Sequence, residues 1–157
     1  MRKILALGLA AALCSCTTQR VLRVPDSELS LDGISIGDTE QTVISRLGPP
    51  DGRVETGEGT ELRYADLVAT VGWLEQQAPG VHRRVYELSG IGPSACTPAG
   101  LCPGMPMTAA NARYGQALHA KRETGNFLEY YGAKSSCWLQ ITAPAGTVQV
   151  IRVACEP

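Results

Sequence analysis

A chain of 157 residues and 16.6 kDa holds one ordinary domain or two very small ones. Hydrophobic residues at 44% against charged residues at 18% exclude a disordered chain, a coiled coil and a collagen-like repeat. The formal charge of -1 excludes a polybasic nucleic-acid binder, because no surplus of cations is left to neutralise a run of phosphates.

The first segment reads as an address. Arg2 and Lys3 precede an apolar run from Ile4 to Leu13, the pattern of an export signal. That run falls short of the roughly 20 apolar residues that a spanning helix needs. Leu13-Cys14-Ser15-Cys16 resembles a bacterial lipobox, with leucine three residues before the cut and serine just before it. The resemblance implies removal of residues 1–15, several acyl chains on Cys16 and hence firm anchoring. Thr17 follows where an aspartate would retain such a lipoprotein, so sorting to the periplasmic face of the outer membrane is implied. An ordinary signal peptide cut near Ala12, giving a soluble periplasmic protein, is the alternative. The mature chain then carries 12 basic and 15 acidic side chains. Export to an oxidising compartment makes Cys96, Cys102, Cys137 and Cys155 disulfide partners before metal ligands. Residues 16–32 read as a tether that lifts the domain from the bilayer, although Val21, Leu22 and Val24 would also suit a first strand on a sheet edge.

Internal repetition organises the rest. Trp73-Leu74 with Ala78-Pro79 recurs as Trp138-Leu139 with Ala143-Pro144 at an offset of 65, which also matches Val85 to Val150. Gly37, Arg46, Gly48 and Tyr64 recur as Gly104, Arg113, Gly115 and Tyr131 at an offset of 67. The expectation is an α+β fold of two tandem units, 33–90 and 91–157. Each unit is a helix plus a three-stranded antiparallel meander, with the helices on one face of the sheet.

In the first unit Asp38 is the expected N-cap with Gln41 three residues on. Val43, Ile44 and Leu47 share a face, Gly48 closes the helix and Pro49-Pro50 forbids its continuation. In the second, Pro106 opens the helix, Ala110 and Tyr114 are its buried positions and Gly115 ends it. Strands are expected at 61–66, 68–75 and 81–88, then at 127–131, 136–142 and 147–154. A turn centred on Gly146 sets Cys137 opposite Cys155, Leu139 opposite Val153 and Ile141 opposite Ile151, making one hairpin face wholly apolar. Disulfides Cys137–Cys155 and Cys96–Cys102 follow. Gly72 and Gly90 stand where the repeat would place the hairpin cysteines, so the first unit leans on the stapled second.

Ile36-Gly37-Asp38-Thr39, Val43 and Leu47-Gly48-Pro49-Pro50, echoed by Pro103-Gly104-Met105, Ala110 and Tyr114-Gly115, resemble the SmpA/OmlA family of small outer-membrane lipoproteins. That family includes the small lipoprotein of the β-barrel assembly machinery and usually has one unit. Two units in tandem also look like the architecture of β-lactamase inhibitor proteins. The resemblance spans nearly all of 33–155 and implies a non-enzymatic envelope role in outer-membrane assembly or maintenance.

The residues themselves point away from catalysis. His82 and His119 fall in different units, and neither has a carboxylate or cysteine at a spacing that builds a triad or a metal site. Five residues separate Cys96 from Cys102, more than a zinc half-site allows. Glu55, Glu58 and Glu61 around Gly57 and Gly59 read as a solvated acidic turn. No catalytic residue, metal or cofactor is expected.

Surface remains. Strand alternation puts Trp138, Gln140, Val150 and Arg152 on the face away from the helices, and the repeat adds Trp73, Glu75, Val85 and Glu87. Tryptophan and arginine on an open sheet face are residue types enriched at binding hot spots. Charge is uneven: residues 16–90 hold 7 basic and 12 acidic groups, and 91–157 hold 5 and 3. The expectation is a lipid-anchored protein that binds an envelope protein through Trp138, Gln140, Arg152 and Trp73, with the bilayer as its other partner and no nucleic acid. The rival readings are a periplasmic hydrolase inhibitor, plugging a cleft with the 55–61 loop, and a small hydrolase.

Overall fold

The computed structural model describes residues 23–57, 59–72 and 83–155. In chain order the elements are β1 (Arg23–Val24), β2 (Ser30–Leu31), β3 (Ile34–Ser35), α1 (Glu40–Leu47), β4 (Gly52–Glu55), β5 (Gly59–Arg63), β6 (Leu67–Gly72) and β7 (Arg84–Gly90). Then follow α2 (Met107–Tyr114), β8 (Leu118–Arg122), β9 (Gly125–Gly132), β10 (Cys137–Thr142) and β11 (Val150–Cys155). Nine strands form one mixed sheet ordered β1-β9-β10-β11-β7-β6-β5-β4, with β8 also paired to β9; β2 and β3 form a separate hairpin.

This overturns the expected pair of α+β helix-plus-meander units. The molecule is mostly β, each eight-residue helix is followed by four strands rather than three, and β7 joins β11 so that the sheet runs without a break. The added strands, β4 and β8, are almost wholly exposed on the sheet's edges. With no apolar face to bury they carry no alternation for a sequence reading to find.

One core underlies the sheet. Leu62, Ala69, Leu88, Val153, Leu139 and Tyr130 are successive cross-strand neighbours from β5 to β9, all buried. Val43 of α1 and Ala110 and Tyr114 of α2 pack into that same cluster. Gly90 lies at its centre, between Leu67 and Ile151. A Cβ there would come within 2.9 Å of the Ala95 Cβ, so the linker between β7 and α2 approaches closely only because glycine is present.

The N-terminal stretch is part of the fold. β1 pairs in parallel with β9, and Arg23 donates to the Gly132 carbonyl at 2.8 Å. The Asp26 carboxylate accepts from the Lys134 amide at 3.1 Å and the Ser135 hydroxyl at 3.3 Å, and the Lys134 bond leads in holding its pKa below the usual value. Glu28 accepts from the Ala99 amide at 3.0 Å and the Tyr114 hydroxyl at 2.7 Å. Val24, Leu29 and Leu31 are buried. Residues 23–32 are therefore docked and not a tether; 16–22 lie outside the described residues. The expected boundary at residue 33 cuts the β2–β3 hairpin, whose two-residue turn, Asp32 (φ 50°) and Gly33 (φ 74°), has the positive φ pair of a type I′ connection.

Both helices end as expected, on Gly48 and Gly115 with positive φ. The N-cap of α1, however, is Thr39, whose side chain accepts from the Thr42 amide at 3.1 Å. Asp38 sits one residue too early and instead accepts from the Ser35 amide and Arg46. The β10–β11 hairpin has Cys137 opposite Cys155, Leu139 opposite Val153 and Ile141 opposite Ile151, and disulfides join Cys137 to Cys155 and Cys96 to Cys102.

Similar backbone devices recur in the two halves, at places other than the tryptophan match. The Gly37 amide bonds the Val85 carbonyl and the Gly104 amide the Val148 carbonyl, both at 2.7 Å. The Tyr64 hydroxyl donates to Gly48 and the Tyr130 hydroxyl to Gly115, both at 3.1 Å. The counterparts of Val85 and Tyr64 are thus Val148 and Tyr130, not Val150 and Tyr131. Trp138 is the second residue of β10, and Trp73 and Leu74 lie outside the described residues.

Candidate functional site on the outer sheet face

Alternation along β10 sends Leu139 and Ile141 into the core and Trp138 and Gln140 to the opposite, outer face. There Trp138 neighbours Tyr131 and Ala154, and Gln140 lies between Glu129 and Arg152. β8 completes the arrangement. Its last residue, Arg122, reaches over β9 from the hairpin position opposite Gly125.

Glu129 is the centre of this cluster and is 1% exposed. It accepts two bonds from Arg122, at 3.0 Å to one oxygen and 2.8 Å to the other, one from Gln140 at 3.0 Å and one from the Tyr131 hydroxyl at 2.8 Å. Burial pushes the Glu129 carboxyl up, but the bonds from Arg122, Gln140 and Tyr131, with the charge of Arg122, outweigh it and leave the pKa below its ordinary value. The same carboxylate raises the pKa of Arg122, and burial raises that of Tyr131. Above this ion pair the Tyr131 and Trp138 rings stack with centroids 6.0 Å apart, and the Arg122 guanidinium lies 5.6 Å from the Trp138 centroid. Beside them Arg152 donates to Glu87 across the junction of β11 and β7. Trp138 Nε1 and Arg152 Nε are both buried without a hydrogen-bond partner.

Trp138, Gln140 and Arg152 are therefore brought together on one face. Gln140, expected to be open, is instead 6% exposed and committed to Glu129. Val85, expected on this face, is in the core, because a register shift between Thr70 and Val71 moves its side chain across the sheet. Trp73, Glu75, His82, Glu58 and Cys16 lie outside the described residues. Arg122, Glu129 and Tyr131 are the residues that sequence reasoning missed. Two of them alternate with Leu128 and Tyr130 in an expected strand, and that alternation was the available signal.

Other polar groups among the described residues make local hydrogen bonds. Strands β4 and β5 pair antiparallel, the Thr56 amide donates to the Gly59 carbonyl at 2.7 Å, and Glu55 accepts from Thr60 and Glu61 from Arg63. A concavity of about 290 Å³ beside β5 and β6 has Asp32, Asp51, Tyr64 and Asp66 in its wall. Asp66 is tied to the Ser94 amide at 2.9 Å, and the hydrogen bonds of Ser94 hold its pKa below the usual value. Among the described residues no three histidines, cysteines or carboxylates are grouped to hold a metal ion.

No protein-family model and no curated protein matches this sequence. Among solved structures, the chain is similar to an extracellular protein containing an SCP domain from Bacillus anthracis str. Ames, determined at 1.5 Å resolution. The TM-score is 0.53 at 12% identity, over 77% of this chain and 44% of that one. This chain thus spans less than half the length of that protein, and at such identity the likeness is one of fold alone.

Proposed function

We propose that this protein is a lipid-anchored component of the cell envelope, held on the periplasmic face of the outer membrane. It binds another envelope protein through the outer sheet face around Trp138 and catalyses no reaction. Its role on this reading is in assembly or maintenance of the outer membrane. The export signal and lipobox-like Cys16 support the location, as do two disulfides, which persist in oxidising compartments. The structurally similar protein is itself described as extracellular.

One observation carries the binding role: Trp138, partly exposed, is fixed between Tyr131 and Arg122 over a fully buried carboxylate. Burying an acid is expensive and contributes little net stability even when it is paired. A sequence that nonetheless builds Glu129 under a partly exposed aromatic–cation pair gains rigidity there. Rigid Trp, Tyr and Arg side chains lose little entropy when a partner covers them. Affinity capture from envelope extracts with the acylated protein and with its Trp138→Ala variant tests the reading. The variant should fold and lose partners that the wild type retains; recovery of the same set with both would refute the binding role.

A further inference from the structure

The N-terminal stretch fixes where the chain leaves the domain. It enters at Arg23 beside β9, on the edge that β8 also occupies. If Cys16 carries the acyl chains, six residues (17–22) separate it from Arg23. Seven peptide steps span at most about 25 Å. From β8 to β4 the sheet is seven strand spacings wide, about 34 Å. An anchor of that reach keeps Arg23 within about 25 Å of the lipid, less than the width of the sheet, and so favours the β1/β8 edge over the β4 edge as the one facing the bilayer.

The charges along this edge agree. Arg23, Lys121 and Lys134 are exposed here, together with His119 and Leu118. Lys134 is placed by the bond from its amide to Asp26, a partly exposed carboxylate whose Oδ1 also accepts from the Ser135 hydroxyl. Arg122 is spent on Glu129, and Glu123 at the β8–β9 turn is the edge's exposed acid. The opposite edge is mixed, with Asp51, Glu55 and Glu61 beside Arg53 and Arg63, which pair with Glu40 and Glu61. Screening over about 8 Å keeps those acids out of the field of a surface at the β8 side.

We propose that in the anchored protein the β1/β8 edge lies against the bilayer, with Arg23, Lys121 and Lys134 on anionic phospholipid headgroups and Leu118 at the apolar boundary. The outer face with Trp138 then stands on edge to the membrane and is open to a partner beside it. This inference rests on the lipid-anchor reading, and its test separates the two.

Lys121 and Lys134 are the only lysines after Lys3, so amine acetylation reports on this edge and no other. The acylated full-length protein is reconstituted into vesicles of phosphatidylcholine with phosphatidylglycerol, into phosphatidylcholine alone, and into detergent. A short acetylation pulse is then read by peptide mass. Both lysines are expected to react about fivefold more slowly on the anionic vesicles than in detergent, as roughly one cation–surface interaction each implies. The protection should shrink on phosphatidylcholine and at high salt. A Lys121→Glu variant that still floats with the vesicles should lose protection at Lys134. Equal rates in all three settings, from protein that floats, would overturn the orientation while leaving the anchor intact. Protein that does not float would overturn the anchor, and the orientation with it.

Discussion

Trp138 and Leu139 are neighbours in one strand, and the sheet treats them in opposite ways. Leu139 sits in a row of apolar side chains from Tyr130 to Leu62, each removed from water by the strands beside it and the helices below. The corresponding row on the other face runs Glu129, Gln140, Arg152, Ser89, Val68 and Arg63. The inner row stabilises by area, a term that is favourable whatever the geometry in detail. In the outer row, paired charges such as Glu129 roughly repay their desolvation and contribute position more than free energy, and Arg152 keeps a buried Nε without a partner. The inner face is held by apolar area and the outer face by hydrogen bonds and ion pairs centred on Glu129.

Substitutions that separate the two faces should differ in size and in what they disturb. Leu139→Ala removes a fully buried side chain from the centre of the core and should cost about 3–4 kcal/mol by chemical denaturation. Replacing Cys137 and Cys155 together by alanine frees a sequence separation of 18 residues and should cost about 3 kcal/mol, against about 2 kcal/mol for Cys96 and Cys102, which are 6 apart. Comparable losses for the two pairs would mean that native packing, not loop closure, sets the effect. Trp138→Ala loses a ring stack and a cation–ring contact at a partly exposed position, about 1 kcal/mol.

The smallest and sharpest effect is in pH. Glu129 has a folded pKa below its unfolded value near 4.5, so its ionised form adds stability that is fully present above that value and fades as pH falls through the lowered folded pKa. The stability gap between wild type and Glu129→Gln should therefore be widest above about pH 4.5 and close below it. A gap that widened as the pH fell would mean that burial, not hydrogen bonding, governs the group.

How far the sequence foretold this structure differs by region for physical reasons. The β10–β11 register was legible because one slip would have put Leu139, Ile141, Ile151 and Val153 in water. Helix ends at Gly48 and Gly115 were legible from glycine chemistry. Edge strands β4 and β8 were not, since solvated strands share the composition of loops. Missing β8 hid Arg122, and so the carboxylate cage around Glu129 went unseen although Trp138 and Gln140 were identified. The docking of residues 23–32 was also hidden, because it rests on carboxylate bonds from Asp26 and Glu28 to partners about 70 to more than 100 residues away. Fixed offsets of 65 and 67 misplaced the equivalents of Val85 and Tyr64 by two residues and one, because loops of different length separate the matching hydrogen bonds in the two halves.

The measurement that bears most directly on the outer face is a paired one on Trp138→Ala: its thermal midpoint, and its capture of envelope proteins relative to wild type at equal folded concentration. A loss of about 1 kcal/mol corresponds to a midpoint shift of roughly 3–6 °C, so the variant should remain folded while its capture of partners collapses. Capture undiminished in a folded Trp138→Ala protein would contradict a binding role for this face.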